Sequence, residues 1–127
     1  MTVTIADIEK AATVIAGDVI RTPTVAAAGL SYIAGCDIHL KLESLQLTGS
    51  LKARGARSRL GAIDPGTTAG VIACSAVNHV QGVAYFAERM GIPATIVMPR
   101  ETPFAKVTRT ERYGAEVILE GDSFAEA

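Results

Sequence analysis

The chain has 127 residues, 49% of them hydrophobic and 20% charged, with 12 Lys and Arg against 13 Asp and Glu. That length holds one domain with a sizeable core, and the apolar fraction excludes an intrinsically disordered chain. A net charge of −1 leaves no electrostatic footprint for nucleic acid or an anionic membrane surface, so neither is expected as a partner.

In chain order, Thr4 with Asp7 three residues later gives a capping-box pattern, and Ile5, Ile8, Ala12 and Ile15 follow at helical spacing up to Gly17. Arg21–Thr24 reads as extended, because the residue before a proline avoids the helical region. An Ala-rich helix is expected over Ala26–Ala34, closed by Gly35. Ile38, Leu40 and Leu42 alternate with His39 and Lys41, the period of a strand with one polar face. Glu43–Ser50 is a polar loop, followed by a basic helix from about Leu51 to Ile63 and a break at Asp64-Pro65-Gly66.

From there the pattern is regular. A buried strand is predicted at Val71–Cys74, with further strands at Ala94–Met98 and Glu116–Leu119. Between them lie helices at Asn78–Met90, closed by Gly91, and Pro103–Arg112, closed by Gly114. Asp122 or Ser123 caps one more helix, of which the chain holds about one turn. Alternating strands and helices with short connections predict a parallel βαβ sheet. Aromatics are only 5% of residues, so the core is expected to rest on Ala, Val, Ile and Leu.

Cys36 and Cys74 form no CxxC and no His/Cys cluster at metal-ligand spacing, so no metal is expected. They read as free, mostly buried thiols of a reducing cytosol. Asp7, Glu9 and Lys10 stand where a signal peptide needs an unbroken apolar stretch, and no apolar run approaches the roughly 20 residues that span a bilayer. The expected location is the cytoplasm.

Neither GxxxxGK[ST] nor a GxGxxG after a predicted strand is present. Two other segments carry chemistry. In Ser44–Ala56, Lys52 falls in the first turn of the basic helix, where the positive end of the helix dipole disfavours an ammonium. Arg54 and Arg57 are expected to add repulsion, a setting that favours the neutral amine required for Schiff-base chemistry. The same position also suits a solvated lysine on a basic helix face. In Ser75–Gly82, a strand end turns into a helix start, the place where open α/β sheets bind ligands. Ser75 and Asn78 can donate to a ligand oxygen there, or simply cap the helix.

Together these segments resemble the N-terminal part of a fold-type-II pyridoxal-phosphate enzyme of the threonine/serine dehydratase family. The family pattern K-x-E-x-x-Q-x-T-G-S-F-K-x-R-G-A is matched from Lys41 to Ala56, and S-A-G-N-H-x-Q-G from Ser75 to Gly82. Ile96–Pro99 and Tyr113–Leu119 follow the family pattern too. The resemblance implies an incomplete α/β three-layer parallel sheet with flanking helices, of the tryptophan-synthase-β kind. Residues 1–52 would be N-terminal elements of a large domain, and residues 53–127 a small parallel α/β domain truncated at its C-terminal end. It further implies that Lys52 holds pyridoxal 5′-phosphate as an internal aldimine and transfers protons. Asn78 would bond the cofactor's phenolic oxygen, and Ser75, Ala76, Asn78 and His79 would grip the substrate carboxylate.

The implied reaction removes water from threonine or serine and ends in a 2-oxo acid and ammonia, in a homo-oligomer or a chain that associates through exposed faces. The related serine racemase has a second serine where this chain has Ala76. The chain departs from the family at Val77, where glycine is usual, at Leu51 in place of Phe, and at Val80 in place of a small residue. Family enzymes are more than twice as long, and the remainder would carry the glycine-rich phosphate loop. The alternative is therefore a remnant that keeps the small-domain fold without binding cofactor.

Overall fold

The computed structural model describes residues 2–75, 78–123 and 125–127. Helix α1 (Ile5–Ile15) starts at the capping box read from the sequence: Thr4 Oγ1 accepts from the Asp7 amide at 3.3 Å, and the Asp7 carboxylate accepts from the Thr4 amide at 2.9 Å. After Pro23 the chain forms strand β1 (Thr24–Ala26), then helix α2 (Ala28–Ala34), closed by Gly35 with φ 69°, then strand β2 (His39–Lys41). β1 and β2 pair antiparallel, Thr24 with Lys41 and Ala26 with His39. Sequence reading gave the extended segments but missed their pairing, because local alternation does not say which strand lies beside which. The three residues of β2 are exposed, while Ile38 and Leu42, which flank them on the predicted apolar face, are half-buried.

A 3-10 turn at Glu43–Leu45 leads through the loop to helix α3 (Lys52–Leu60), which ends at Gly61, earlier than predicted. Beyond Gly61, Ala62 and Ile63 each add one turn hydrogen bond. Strand β3 (Val71–Cys74), helix α4 (Asn78–Arg89), strand β4 (Ala94–Met98), helix α5 (Phe104–Glu111) and strand β5 (Glu116–Leu119) follow. They lie within a residue or two of their predicted bounds. The sheet is parallel and in chain order, β3-β4-β5, with Val71 beside Ala94 and Thr95 beside Glu116.

The core lies on one face of that sheet. Ala94, Ile96 and Met98 alternate along β4 and pack with Val80, Val83, Ala84, Phe86 and Ala87 of α4, Val107 of α5, and Ala53, Ala56 and Leu60 of α3. Aliphatic side chains fill most of this layer, as the composition indicates, and the buried ring of Phe86 adds aromatic bulk to it. β3 is an edge strand, and Ile72 on it is 79% exposed, which corrects the expectation of a buried strand. Cys36 is exposed and Cys74 half-buried; both are free thiols, but neither is buried as expected. The described residues beyond Asp122 form a single hydrogen-bonded turn on the Ser123 carbonyl in place of the predicted helix. Among the described residues no helix is long and apolar enough to cross a membrane.

Candidate active site

The loop before α3 is held by a network that spacing alone did not disclose. Gln46, 4% exposed, pairs with the backbone of Ile20: its Oε1 accepts from the Ile20 amide at 2.9 Å and its Nε2 donates to the Ile20 carbonyl at 2.9 Å. Arg54 grips Glu43 with both arms, Nε to Oε2 at 2.9 Å and Nη2 to Oε1 at 2.8 Å, and Nη2 also donates to the Ile20 carbonyl at 2.9 Å. Thr22 donates to Glu43 Oε1, and Lys41 Nζ donates to the Thr22 carbonyl. Such two-pronged, charge-assisted contacts are both strong and directional. The Arg54 hydrogen bond is the main reason the Glu43 carboxyl is held down to about 2, with Thr22 and the charges of Arg54 and Lys41 adding to it against the opposing effect of burial. Sequence reasoning quoted Lys41, Glu43 and Gln46 within the motif without a role, and took Arg54 only as a charge near Lys52. The signal was their fixed spacing; the partner segment near Ile20 was not visible in it.

This network positions Lys52. The lysine is the first residue of α3 and is exposed, and its amide donates to Ser50 Oγ at 3.3 Å. The expected repulsion from its two arginine neighbours is corrected by the structure. Arg54 is neutralised by Glu43, and Arg57 by Asp18, its Nε lying 2.6 Å from Oδ2.

The second segment sits at the carboxyl end of β3. Ser75 is 6% exposed, and its amide donates to the Val97 carbonyl at 3.2 Å, extending the β3–β4 ladder by one bond. Asn78, exposed, is the first residue of α4. Ala76, named among the substrate-binding positions, and Val77, the departure from the family pattern, lie outside the described residues. His79 is placed differently from Lys52, Ser75 and Asn78. It lines an apolar groove of about 230 Å³ with Ala56, Leu60, Ile63, Ile72 and Val83, and this lining includes neither Lys52, Ser75 nor Asn78.

What brings the two segments together is Gly82. A Cβ at this position would lie 3.1 Å from Ala56 Cβ, 3.2 Å from the Lys52 carbonyl oxygen and 3.4 Å from Ala53 Cα. The absence of a side chain therefore lets α4 cross directly over the first turn of α3. Sequence reading treated Gly82 as a motif letter only. Its signal was a glycine inside a helical pattern, which ordinarily weakens a helix and so marks a packing requirement.

The donor set fits the reactive end of a pyridoxal phosphate. An exposed primary amine faces water at a helix start, where it can meet an aldehyde, and an amide side chain one element away can donate to a phenolic oxygen. A helix N-terminus with a buried serine beside it offers N–H groups to a carboxylate. Among the described residues no cluster of His, Cys, Asp and Glu is arranged to hold a metal ion.

Residues 15–127 match the family described as pyridoxal-phosphate dependent enzyme. The chain belongs to that family. Within the pyridoxal-phosphate-dependent enzymes it is 47% identical over 126 residues to the L-threonine ammonia-lyase of Thermotoga maritima, spanning 98% of this chain and 31% of that protein. It is 45% identical to the L-threonine dehydratase catabolic TdcB of Staphylococcus aureus strain N315, over 98% of this chain and 36% of the relative. Among solved structures it is similar to maize serine racemase, with a TM-score of 0.91 and 34% identity, covering 99% of this chain and 39% of that one. The threonine deaminase of T.th. gives a TM-score of 0.85 and 39% identity, covering 98% of this chain and 39% of that one. The chain thus spans about a third of the length of its curated relatives, and its fold is that of the fold-type-II pyridoxal-phosphate enzymes.

Proposed function

We propose that this chain supplies one wall of a pyridoxal-phosphate site, and that the whole protein eliminates water from L-threonine or L-serine to give a 2-oxo acid and ammonia. The observation that carries the reading is the crossing of α3 and α4 at Gly82, which sets the exposed Lys52 beside the helix that begins at Asn78. The threonine-lyase names of the relatives at 45% identity and above support the substrate class. Ala76 in place of the racemase serine supports elimination over racemisation.

When bound, the cofactor supplies the electron sink for breaking bonds at the substrate's α-carbon. The chain supplies position and proton transfer. Lys52 Nζ would hold the cofactor at its aldehyde group and would accept the proton from the substrate's Cα. The Asn78 amide donates to the phenolic oxygen. The Ser75 hydroxyl and the backbone amides at the start of α4 hold the substrate carboxylate, a role that the helix N-terminus favours through its partial positive charge. In this reading residues 1–52 belong to a large domain and residues 53–127 to a small one. The protein acts in the cytoplasm as a homo-oligomer, in keeping with two free cysteines.

Mass spectrometry tests the assignment. With pyridoxal 5′-phosphate and borohydride, the peptide containing Lys52 is expected to gain one phosphopyridoxyl group, and Lys52→Ala to gain none. A label that falls mainly on another lysine, or that persists in Lys52→Ala, overturns the assignment. A native protein that takes no label and releases no 2-oxo acid from threonine supports the remnant reading instead.

A further inference from the structure

We propose that Arg109 is a positioning residue for Lys52: from α5 it fixes the loop that carries this lysine against the sheet that carries Ser75. The inference deepens the proposed function and rests on Lys52 being the cofactor-binding residue.

The loop before α3 is attached to two different parts of the fold. Glu43, Gln46 and Arg54 bind it to the N-terminal segment at Ile20 and Thr22. On the other side, Arg109 Nη2 donates to the Thr48 carbonyl at 3.1 Å, a bond across 61 positions of sequence. The same nitrogen lies 3.5 Å from where a Cβ would stand on Gly49, so the guanidinium rests directly over that glycine. Gly49 has φ +72°, a conformation that costs other residues energy, and its amide donates to the Gln46 carbonyl at 2.7 Å. Thr48 is 1% exposed. The chain therefore turns sharply at the exposed Gly49, directly after the buried Thr48, and an arginine from a distant helix holds that turn. Two residues later Ser50 Oγ accepts from the Lys52 amide.

Among the described residues, Arg109 has no structural duty that competes with this one. It is exposed on α5, and arginine and alanine are both good helix formers, so its truncation leaves the helix intact. An arginine is suited to the task, since its planar fork is pre-organised and stays charged. Ser75 ends β3, in the same parallel sheet on which α5 packs through β5. Through Arg109, the lysine and the anion-binding strand end are thereby referred to one rigid frame.

The test compares native protein with Arg109→Ala and Arg109→Lys by amide hydrogen exchange and by titration with pyridoxal 5′-phosphate, bound label on Lys52 being read after borohydride. Arg109→Ala is expected to speed exchange at Gly49–Ala53 by about tenfold, the scale of one lost charge-assisted hydrogen bond, while α4 and β4 exchange as before. The half-saturating concentration of the cofactor is expected to rise by a similar factor, and Arg109→Lys to recover part of both effects. Unchanged exchange and unchanged half-saturation in Arg109→Ala overturn the proposal, as does an increase spread evenly over the whole chain. A native protein that takes no label on Lys52 overturns the parent reading and this one together. Normal labelling of the native protein with no effect of Arg109→Ala overturns this one alone.

Discussion

Gly82→Val is expected to lower stability by about 3 kcal/mol and the melting temperature by roughly 10 °C, with the loss of cofactor labelling at Lys52. The atoms that face Gly82 cannot step aside. Ala56 Cβ is the whole of its side chain, and the Lys52 carbonyl oxygen and Ala53 Cα belong to the backbone of α3. A branched side chain there must push α3 off α4, the two most extensively packed helices of the fold. Gly82→Ala sets a gain against a loss: alanine improves the helix by about 1 kcal/mol, while a 3.1 Å contact demands a shift of α3. Ala56→Gly in the Gly82→Ala background removes the facing methyl and is expected to restore labelling. Thermal melting followed by circular dichroism, with label counted on the Lys52 peptide, checks each step. Wild-type melting in Gly82→Val would show that the helices do not meet at this point.

The second large effect concerns Glu43. Glu43→Gln leaves the Arg54 guanidinium without its carboxylate and is expected to cost about 2 kcal/mol, the scale for a partly buried, charge-assisted pair. The same pair predicts a pH dependence. Glu43 is held at about 2 in the folded chain, against an ordinary value of 4.5. A carboxyl with a lowered folded-state value binds its proton more readily when unfolded. Its contribution is therefore complete above about pH 4.5 and is lost as pH falls towards 2. Melting temperatures measured from about pH 6 down to about 2.5 are expected to fall more steeply for the native protein than for Glu43→Gln, so that the two curves converge in acid. Parallel curves would mean that Glu43 does not carry the acid sensitivity.

The parallel sheet was legible in the sequence because each of its elements is punctuated. Gly91 and Gly114, both with positive φ, close α4 and α5 where the pattern placed them, and Ala94, Ile96 and Met98 alternate within a run bounded by prolines. Lys52 and Asn78 were likewise legible, since a helix start can be recognised from local residues. What escaped was long-range. Local alternation marks a strand without naming its neighbour, so the pairing of Thr24–Ala26 with His39–Lys41 was invisible. The ion pairs of Arg54 and Arg57 reach 11 and 39 positions back in the chain, and sequence neighbourhood presented both arginines as free charges near Lys52. His79 stood next to Asn78 in the motif, yet successive residues on a helix point about 100° apart, and the structure turns His79 into the Ile72 groove.

The bond from Arg109 to Thr48 also orders the events of folding. Each β3–β4 and β4–β5 pairing closes a loop of roughly twenty residues, whereas Arg109 closes one of 61, and the entropic penalty of closure rises with loop length. Contacts of short sequence separation form fastest, so the parallel sheet and its helices can assemble as a scaffold before the Thr48–Lys52 loop is drawn onto them. The amine proposed to hold the cofactor is thus set late, against a surface already built. Substitutions at Arg109 should accordingly hasten unfolding of the loop while leaving the folding rate of the sheet untouched.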